Sequence, residues 1–352
     1  MARYGSINDK WCLCFFFNCF DSRSYVAHRS LLGIASLSFT AAWQLIRIVH
    51  SWADLTVVTS PQIRDEFEHQ HGIPRCTVWQ KGIDTVTFHP HHRNAMMRRR
   101  MMGKDDVRRT SDNNEHRNDD NLFLMVYIGR LGTEKRLHDL RDILDQLSEH
   151  YSHIQSDLKS QVRLCIVGDG PHRSTLKKCF QKYIQEGIVT FMGVLRGTDL
   201  SQAYASSDIF ILPSDSETLG FVVMESMASG VPVIGVRAGG VPDLIEHNRT
   251  GFLVDQVGHI STFVQHILQL KDDVRLRNEM SKSSRIEMER WGWSTSMEKL
   301  VTEQYAAARE NFHHRIEQRI LRLWRQYSPF YWWNHSRLHS SKPHDALVTI
   351  PS

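Results

Sequence analysis

A chain of 352 residues, 41% hydrophobic and 23% charged, is long enough for two α/β domains, and its composition excludes a fibre or a wholly disordered polymer. The formal net charge of +4 is modest and no basic run is interleaved with aromatics, so nucleic acid is not expected as a partner. None of the six cysteines forms a C-x-x-C pair, and Cys76, Cys165 and Cys179 fall in or beside predicted elements, which reads as small core residues rather than a metal or disulfide framework.

In chain order, residues 11–20 are too short to span a bilayer, and 31–49 reach the length only by including Gln44 and Arg47. The second stretch predicts an amphipathic helix with Trp43, Ile46, Val49 and Trp52 on one face. A strand at 55–58, a Pro61-led helix and a strand at 77–79 lead to 81–90, which reads as a crossing between two domains. Too few residues precede it for a complete Rossmann-like unit. Residues 1–90 are therefore expected to be a partial, acceptor-side domain truncated at its amino end, with no transit peptide visible in it.

Residues 91–121, dominated by His, Arg, Asp, Asn and Met, read as a flexible charged linker. The unit 122–290 then alternates strands at 122–128, 162–167, 189–191, 209–212 and 231–235 with helices at 137–151, 174–185 and 199–205. Such alternation predicts a parallel sheet with helices on both faces, and a ligand at the carboxyl ends of its strands. Beyond Glu246 the chain reads as helices, with carboxyl-terminal helices at 291–334 and a disordered tail at 335–352. The Arg and Trp mixture at 313–334 fits either a return onto the first domain or a membrane interface.

The most informative run lies at 208–234. It sets Glu217 and Glu225 eight positions apart across a loop-to-helix junction at Gly220, so the two carboxylates address different parts of one ligand. Ionised carboxylates only accept hydrogen bonds, which suits hydroxyl groups. The amides of Leu219, Gly220 and Phe221 are expected to face an anion, while Val222, Val223, Met227 and Ala228 turn inward. Asp215-Ser216-Glu217 has the wrong order for a metal-binding D-x-D element, and no metal is expected.

Glu217-Thr-Leu-Gly220-Phe-Val-Val-Met-Glu225 resembles the E-x7-E signature of the retaining glycosyltransferases of family 4. Gly129-Arg130-Leu131 with Glu134-Lys135 resembles their phosphate-binding segment, and Gly168-Asp169-Gly170-Pro171, Phe191-Met192-Gly193, Ala203-Tyr204, Ser207-Asp208 and the run 235–243 agree in order. The segment 78–84 with Phe88-His89-Pro90 is similar to the crossing of plant and algal sulfoquinovosyl transferases, and the resemblance extends from about Trp43 to Ala308.

That resemblance implies an α/β GT-B fold of two Rossmann-like domains with parallel sheets, the amino-terminal one incomplete. It implies a UDP-sulfoquinovose donor, a diacylglycerol acceptor, no metal or other cofactor, and peripheral contact with the chloroplast envelope membrane. Carried over residue by residue, Arg130 and Lys135 would neutralise the leaving diphosphate and Glu217 would hold the donor sugar, these three being catalytic. Gly129, Gly168, Leu219, Gly220, Phe221 and Glu225 would bind the donor, Glu225 through the ribose hydroxyls. Retention of configuration follows from the family, with front-face attack and a covalent intermediate both open. Two other readings stand beside this one: a different lipid-directed hexosyl or mannosyl transferase, and a non-catalytic nucleotide-sugar-binding remnant.

Overall fold

The computed structural model describes residues 14–16, 34–79, 82–104, 122–215, 217, 219–255 and 258–327, with side chains from Ala41 onward apart from Gln62. The expectations for the linker at 105–121 and the tail at 335–352 lie outside the described residues.

Two parallel sheets are present, as the alternation of elements predicts. The smaller has the order β1 (Cys14–Phe16), β2 (Leu55–Val58), β3 (Cys76–Val78), with every pairing parallel. Helix α1 (Ile34–Ser51) joins β1 to β2, and Trp43 sets its ring edge-on to Phe67 at 5.5 Å. Ile46 packs against the same cluster of Val58, Phe67 and Ile73. Trp52, expected on that face, instead lies past the helix end and is 63% exposed. An i+3 series drifts about 60° per step around a helix, so three steps from Trp43 reach the opposite side. After the short α2 (Pro61–Asp65) and β3, the crossing is held by the carboxyl-terminal region. The Ile83 amide donates to the Trp291 carbonyl at 2.9 Å, the Trp293 amide returns to the Ile83 carbonyl at 3.1 Å, and Trp79 Nε1 donates to the Ser296 carbonyl at 3.0 Å.

Residues 91–104, read as flexible, are structured. Asn94 caps α3 (Ala95–Met101) by accepting from the Met97 amide at 3.0 Å, and Met97, Met101 and Met102 are buried. Arg98 is buried as well: it donates to the carbonyls of Ser206 (2.7 Å) and Leu122 (2.6 Å) and to Asp208 Oδ2 (2.8 Å). The high charge hides a Met97/Met101 stripe at helical spacing, and the arginine is desolvated only because three acceptors meet it.

The larger sheet has the order β6–β5–β4–β7–β8–β9, all parallel. Its strands are β4 (Phe123–Ile128), β5 (Val162–Val167), β6 (Val189–Gly193), β7 (Ile209–Leu212), β8 (Val233–Val236) and β9 (Gly251–Val254). All but β6 are buried at every residue, and apart from Arg163 in β5 they carry no charged side chain. The connecting helices are α4 (Asp139–His153), α5 (Arg173–Cys179), α6 (Gln181–Gln185), α7 (Gly197–Ala205) and α8 (Phe221–Ala228). The helix predicted at 174–185 is two, parted at the fully buried Phe180. Strand β9 corrects the expectation of helices alone beyond Glu246; four residues give periodicity nothing to act on, and only the pairing with Val233–Val236 defines it.

Helices α9 (Ile260–Asp272), α10 (Val274–Glu289), α11 (Trp293–Lys299) and α12 (Tyr305–Tyr327) complete the described chain. Leu300 and Ala308 join Leu55, Val57 and Trp79 in a small core, so this segment does return onto the first sheet. The distal half of α12 leaves Ile320, Leu323, Trp324 and Tyr327 exposed. Among the described residues no helix is long and apolar enough to cross a membrane.

Candidate functional site

The chain runs outward through β4, β5 and β6, then returns to lay β7 beside β4 and runs outward the other way. The carboxyl ends of β4 and β7 therefore flank a topological switch point, where open α/β sheets form a crevice. Strand β4 passes into Gly129-Arg130-Leu131 and a turn at Thr133–Lys135; β7 passes into the loop that reaches Gly220. Lys135 Nζ donates to Glu217 Oε2 at 2.8 Å across the switch, with the two side chains 17% and 16% exposed. Lys135 is thus half-buried and paired, not set in an open loop.

Glu217 is held from its own surroundings too. Its Oε1 accepts from the Gly220 amide at 3.2 Å, and its carbonyl accepts from the Gly240 amide at 2.8 Å. One of the three amides expected to face an anion is therefore taken by the carboxylate. Gly220 caps α8 at φ 66°, so the backbone calls for glycine, and a Cβ there would lie 2.5 Å from Leu244 Cδ1 and displace that side chain. Leu219 and Phe221 flank it, half-buried. As expected, Val223, Met227 and Ala228 are fully buried and Val222 packs partly against the core.

Arg130 stands apart, 69% exposed, its guanidinium 4.0 Å from Glu134 Oε1. Its carbonyl accepts from Tyr127 Oη at 3.0 Å. Behind it the loops after β4, β5 and β6 are joined backbone to backbone: the Gly129 amide donates to the Val167 carbonyl at 3.0 Å and the Gly168 amide to the Gly193 carbonyl at 2.7 Å. At Gly168, φ is 133° and the Gly129 carbonyl oxygen occupies the place of a Cβ. These two glycines let the loops after β4 and β5 meet backbone to backbone.

Glu225 lies inside α8, where Tyr204 Oη donates to its Oε2 at 2.8 Å. Burial pushes the Glu225 carboxyl up to about 7, against the opposing pull of that bond. Burial likewise raises the Tyr204 phenol well above its ordinary value, reinforced first by Glu225 and then by Tyr127 and Glu217. The Tyr204 ring, fully buried, meets Phe88 edge-on at 5.8 Å and Phe210 at 6.0 Å. Lys135, Glu217 and Gly220 are thus gathered around one pair of strand ends, while Glu225, further along α8, is held by Tyr204, which had no role assigned from sequence. It precedes Glu225 by 21 positions, with no local spacing to signal the contact. Among the described residues no group of three or more His, Cys, Asp or Glu side chains is disposed to hold a metal ion. The site offers carboxylates as hydroxyl acceptors and cations for an anion at the same rim.

Residues 108–287 match the family described as Glycosyl transferases group 1. The chain is 36% identical to the sulfoquinovosyl transferase SQD2 of Arabidopsis thaliana over 76% of its own length and 47% of that protein. It is 32% identical to a GDP-mannose-dependent alpha-mannosyltransferase of Corynebacterium glutamicum over 67% of its length and 49% of that protein. It spans about half the length of these relatives. Among solved structures, Anabaena Alr3699/HepE in complex with UDP and glucose aligns with a TM-score of 0.62 at 21% identity, covering 82% of this chain and 70% of that one. Sucrose-phosphate synthase of Thermosynechococcus elongatus aligns with a TM-score of 0.62 at 20% identity, covering 84% and 69%.

Proposed function

The chain belongs to the glycosyl transferases of group 1 and has their GT-B fold; on that footing we propose that it binds a nucleotide-sugar donor and transfers the sugar with retention, from UDP-sulfoquinovose to diacylglycerol. The observation that carries the donor site is the Lys135–Glu217 pair, 2.8 Å across the switch between β4 and β7. A cation and an acceptor for hydroxyls meet there at the place where an α/β sheet takes its ligand. In this reading Glu225 accepts hydrogen bonds from the ribose hydroxyls, Lys135 and Arg130 stabilise charge on the leaving diphosphate, and Glu217 holds the donor sugar. The Lys135 ammonium also offsets the Glu217 carboxylate, which would otherwise repel the diphosphate. Gly129, Gly168, Leu219, Gly220 and Phe221 shape the donor crevice, and no metal takes part.

The choice of sulfoquinovose rests on the likeness to the Arabidopsis enzyme. The likeness to mannosyltransferases supports a second reading, in which the donor is GDP-mannose and the acceptor another lipid. Assay of the purified protein with UDP-sulfoquinovose, UDP-glucose and GDP-mannose, each against diacylglycerol and against a mixed polar-lipid extract, separates them: product only with the first donor is expected, and product only with GDP-mannose overturns the assignment. A peripheral position on the chloroplast envelope goes with the first reading. The exposed Ile320, Leu323, Trp324 and Tyr327 beside Arg319, Arg322 and Arg325 on α12 suit an anionic bilayer surface.

A further inference from the structure

We propose that Tyr204 is a positioning residue for Glu225, and that the crossing segment reaches the donor site through it. This rests on the reading of Glu225 as the acceptor for ribose hydroxyls. The geometry forms a chain of contacts from the crossing to the carboxylate. Phe88 sets its ring edge-on to the buried Tyr204 ring at 5.8 Å, and Tyr204 Oη donates to Glu225 Oε2 at 2.8 Å. Arg285 of α10 fixes both ends of that chain. Its Nη1 donates to the Thr85 and Phe88 carbonyls at 3.0 and 2.9 Å, and to the Ala228 carbonyl at 2.8 Å. Thr85 and Phe88 belong to the crossing; Ala228 ends the helix that carries Glu225. The arginine, 15% exposed, therefore ties the crossing to α8 as Phe88 and Tyr204 tie it to the carboxylate.

A carboxylate with one oxygen bonded to a buried phenol keeps the other for a ligand and cannot rotate freely. The phenol also favours the ionised form, which is acceptor-only and bonds hydroxyls more strongly than the neutral acid. The charged or titratable groups bearing on this pair are Glu217, from the loop before α8, and Tyr127, from β4, both felt at Tyr204, with Arg285 bonded to the carboxyl end of α8. Burial opposes ionisation of Glu225 and Tyr204 favours it, so UDP affinity rises with pH through the neutral range as the carboxyl loses its proton. Removing only the hydroxyl moves that rise to higher pH.

The test is calorimetric titration of UDP into the wild-type chain, Tyr204→Phe, Glu225→Gln and the double variant, across roughly pH 5.5 to 8.5, with thermal unfolding of each as the folding control. Ionisation of the ligand's own phosphate is common to all four and cancels in their ratios. Tyr204→Phe is expected to bind UDP about tenfold more weakly at neutral pH, with the deficit shrinking as pH rises. Glu225→Gln should lose the protein's share of the pH dependence, and adding Tyr204→Phe to it should cost little more. A wild-type chain that fails to bind UDP removes the underlying reading. Wild-type binding with an unshifted profile in Tyr204→Phe, or equal tyrosine effects with and without Glu225, overturns the positioning role alone. Should Tyr204→Phe not fold, a Glu225→Gln profile identical to wild type removes the reading of Glu225, and with it the positioning role that depends on it.

Discussion

Each end of the β4–β7 pair carries a short ion pair, and the two differ in kind. At the amino end Arg98 meets Asp208 at 2.8 Å, and both side chains are deeply buried, at 8% and 11% exposure. The guanidinium also bonds two backbone carbonyls, and Asp208 Oδ2 accepts from the Leu124 amide at 2.7 Å. At the carboxyl end Lys135 meets Glu217 at the same distance, but at the rim of a crevice, through a single-point ammonium instead of a planar fork. The first pair is spent on closing the sheet against α3; the second is placed where a ligand can exchange with one partner. An ion pair indicates function by where it sits on the sheet and by how completely the fold has consumed its hydrogen-bonding capacity.

That contrast predicts opposite consequences for similar deletions. Arg98→Ala leaves two carbonyls without their guanidinium donor and Asp208 with only the exposed Arg93 at 3.7 Å as a cation, and should destabilise the fold by about 3–5 kcal/mol in urea unfolding. Lys135→Ala should leave unfolding close to wild type yet lower turnover by about a hundredfold to a thousandfold, the cost of removing one preorganised donor at developing charge. If Lys135→Ala loses stability like Arg98→Ala while the folded fraction keeps its turnover, the rim pair is structural and the contrast fails.

The two carboxylates of the site sharpen the comparison at smaller amplitude. Glu225 is desolvated and held by a phenol; the Glu217 carboxylate is matched by a cation and one backbone amide. Glu225→Ala should weaken UDP binding about tenfold or more, whereas Glu217→Ala should leave UDP affinity within about twofold and lower turnover instead. Equal losses of UDP affinity in calorimetry would erase the separate assignments to nucleotide and sugar.

Much of this site was legible because its parts are local. Glu217 and Glu225 lie on one loop-to-helix junction, and the apolar runs of β4 and β7 are fully buried strands, whose signal needs no partner to be read. What escaped was non-local. The Lys135–Glu217 bond spans 82 positions and the Tyr204–Glu225 bond 21, and neither spacing leaves a mark in sequence. Strand β9 exists only by pairing with β8, and α3 only by docking Met97, Met101 and Arg98 on a surface made by distant residues. Charge misled at 91–104 for a physical reason: burial of arginine depends on acceptors that composition does not display.

The smallest expected effect is none at all. If the leaving diphosphate is stabilised by Lys135 and Arg130, turnover should be unchanged by an excess of EDTA and by added magnesium. The two cations are unequal in setting: Lys135 is half-buried and held, while Arg130 is 69% exposed with its nearest carboxylate oxygen at 4.0 Å. An exposed guanidinium at that distance gives up little to reach a ligand, because a surface pair of this kind contributes at most about 1 kcal/mol. Arg130→Ala should therefore leave folding intact and still lower turnover by about a hundredfold. Loss of activity in EDTA with recovery in magnesium, together with a near-normal Arg130→Ala variant, would transfer the charge stabilisation from these side chains to a metal.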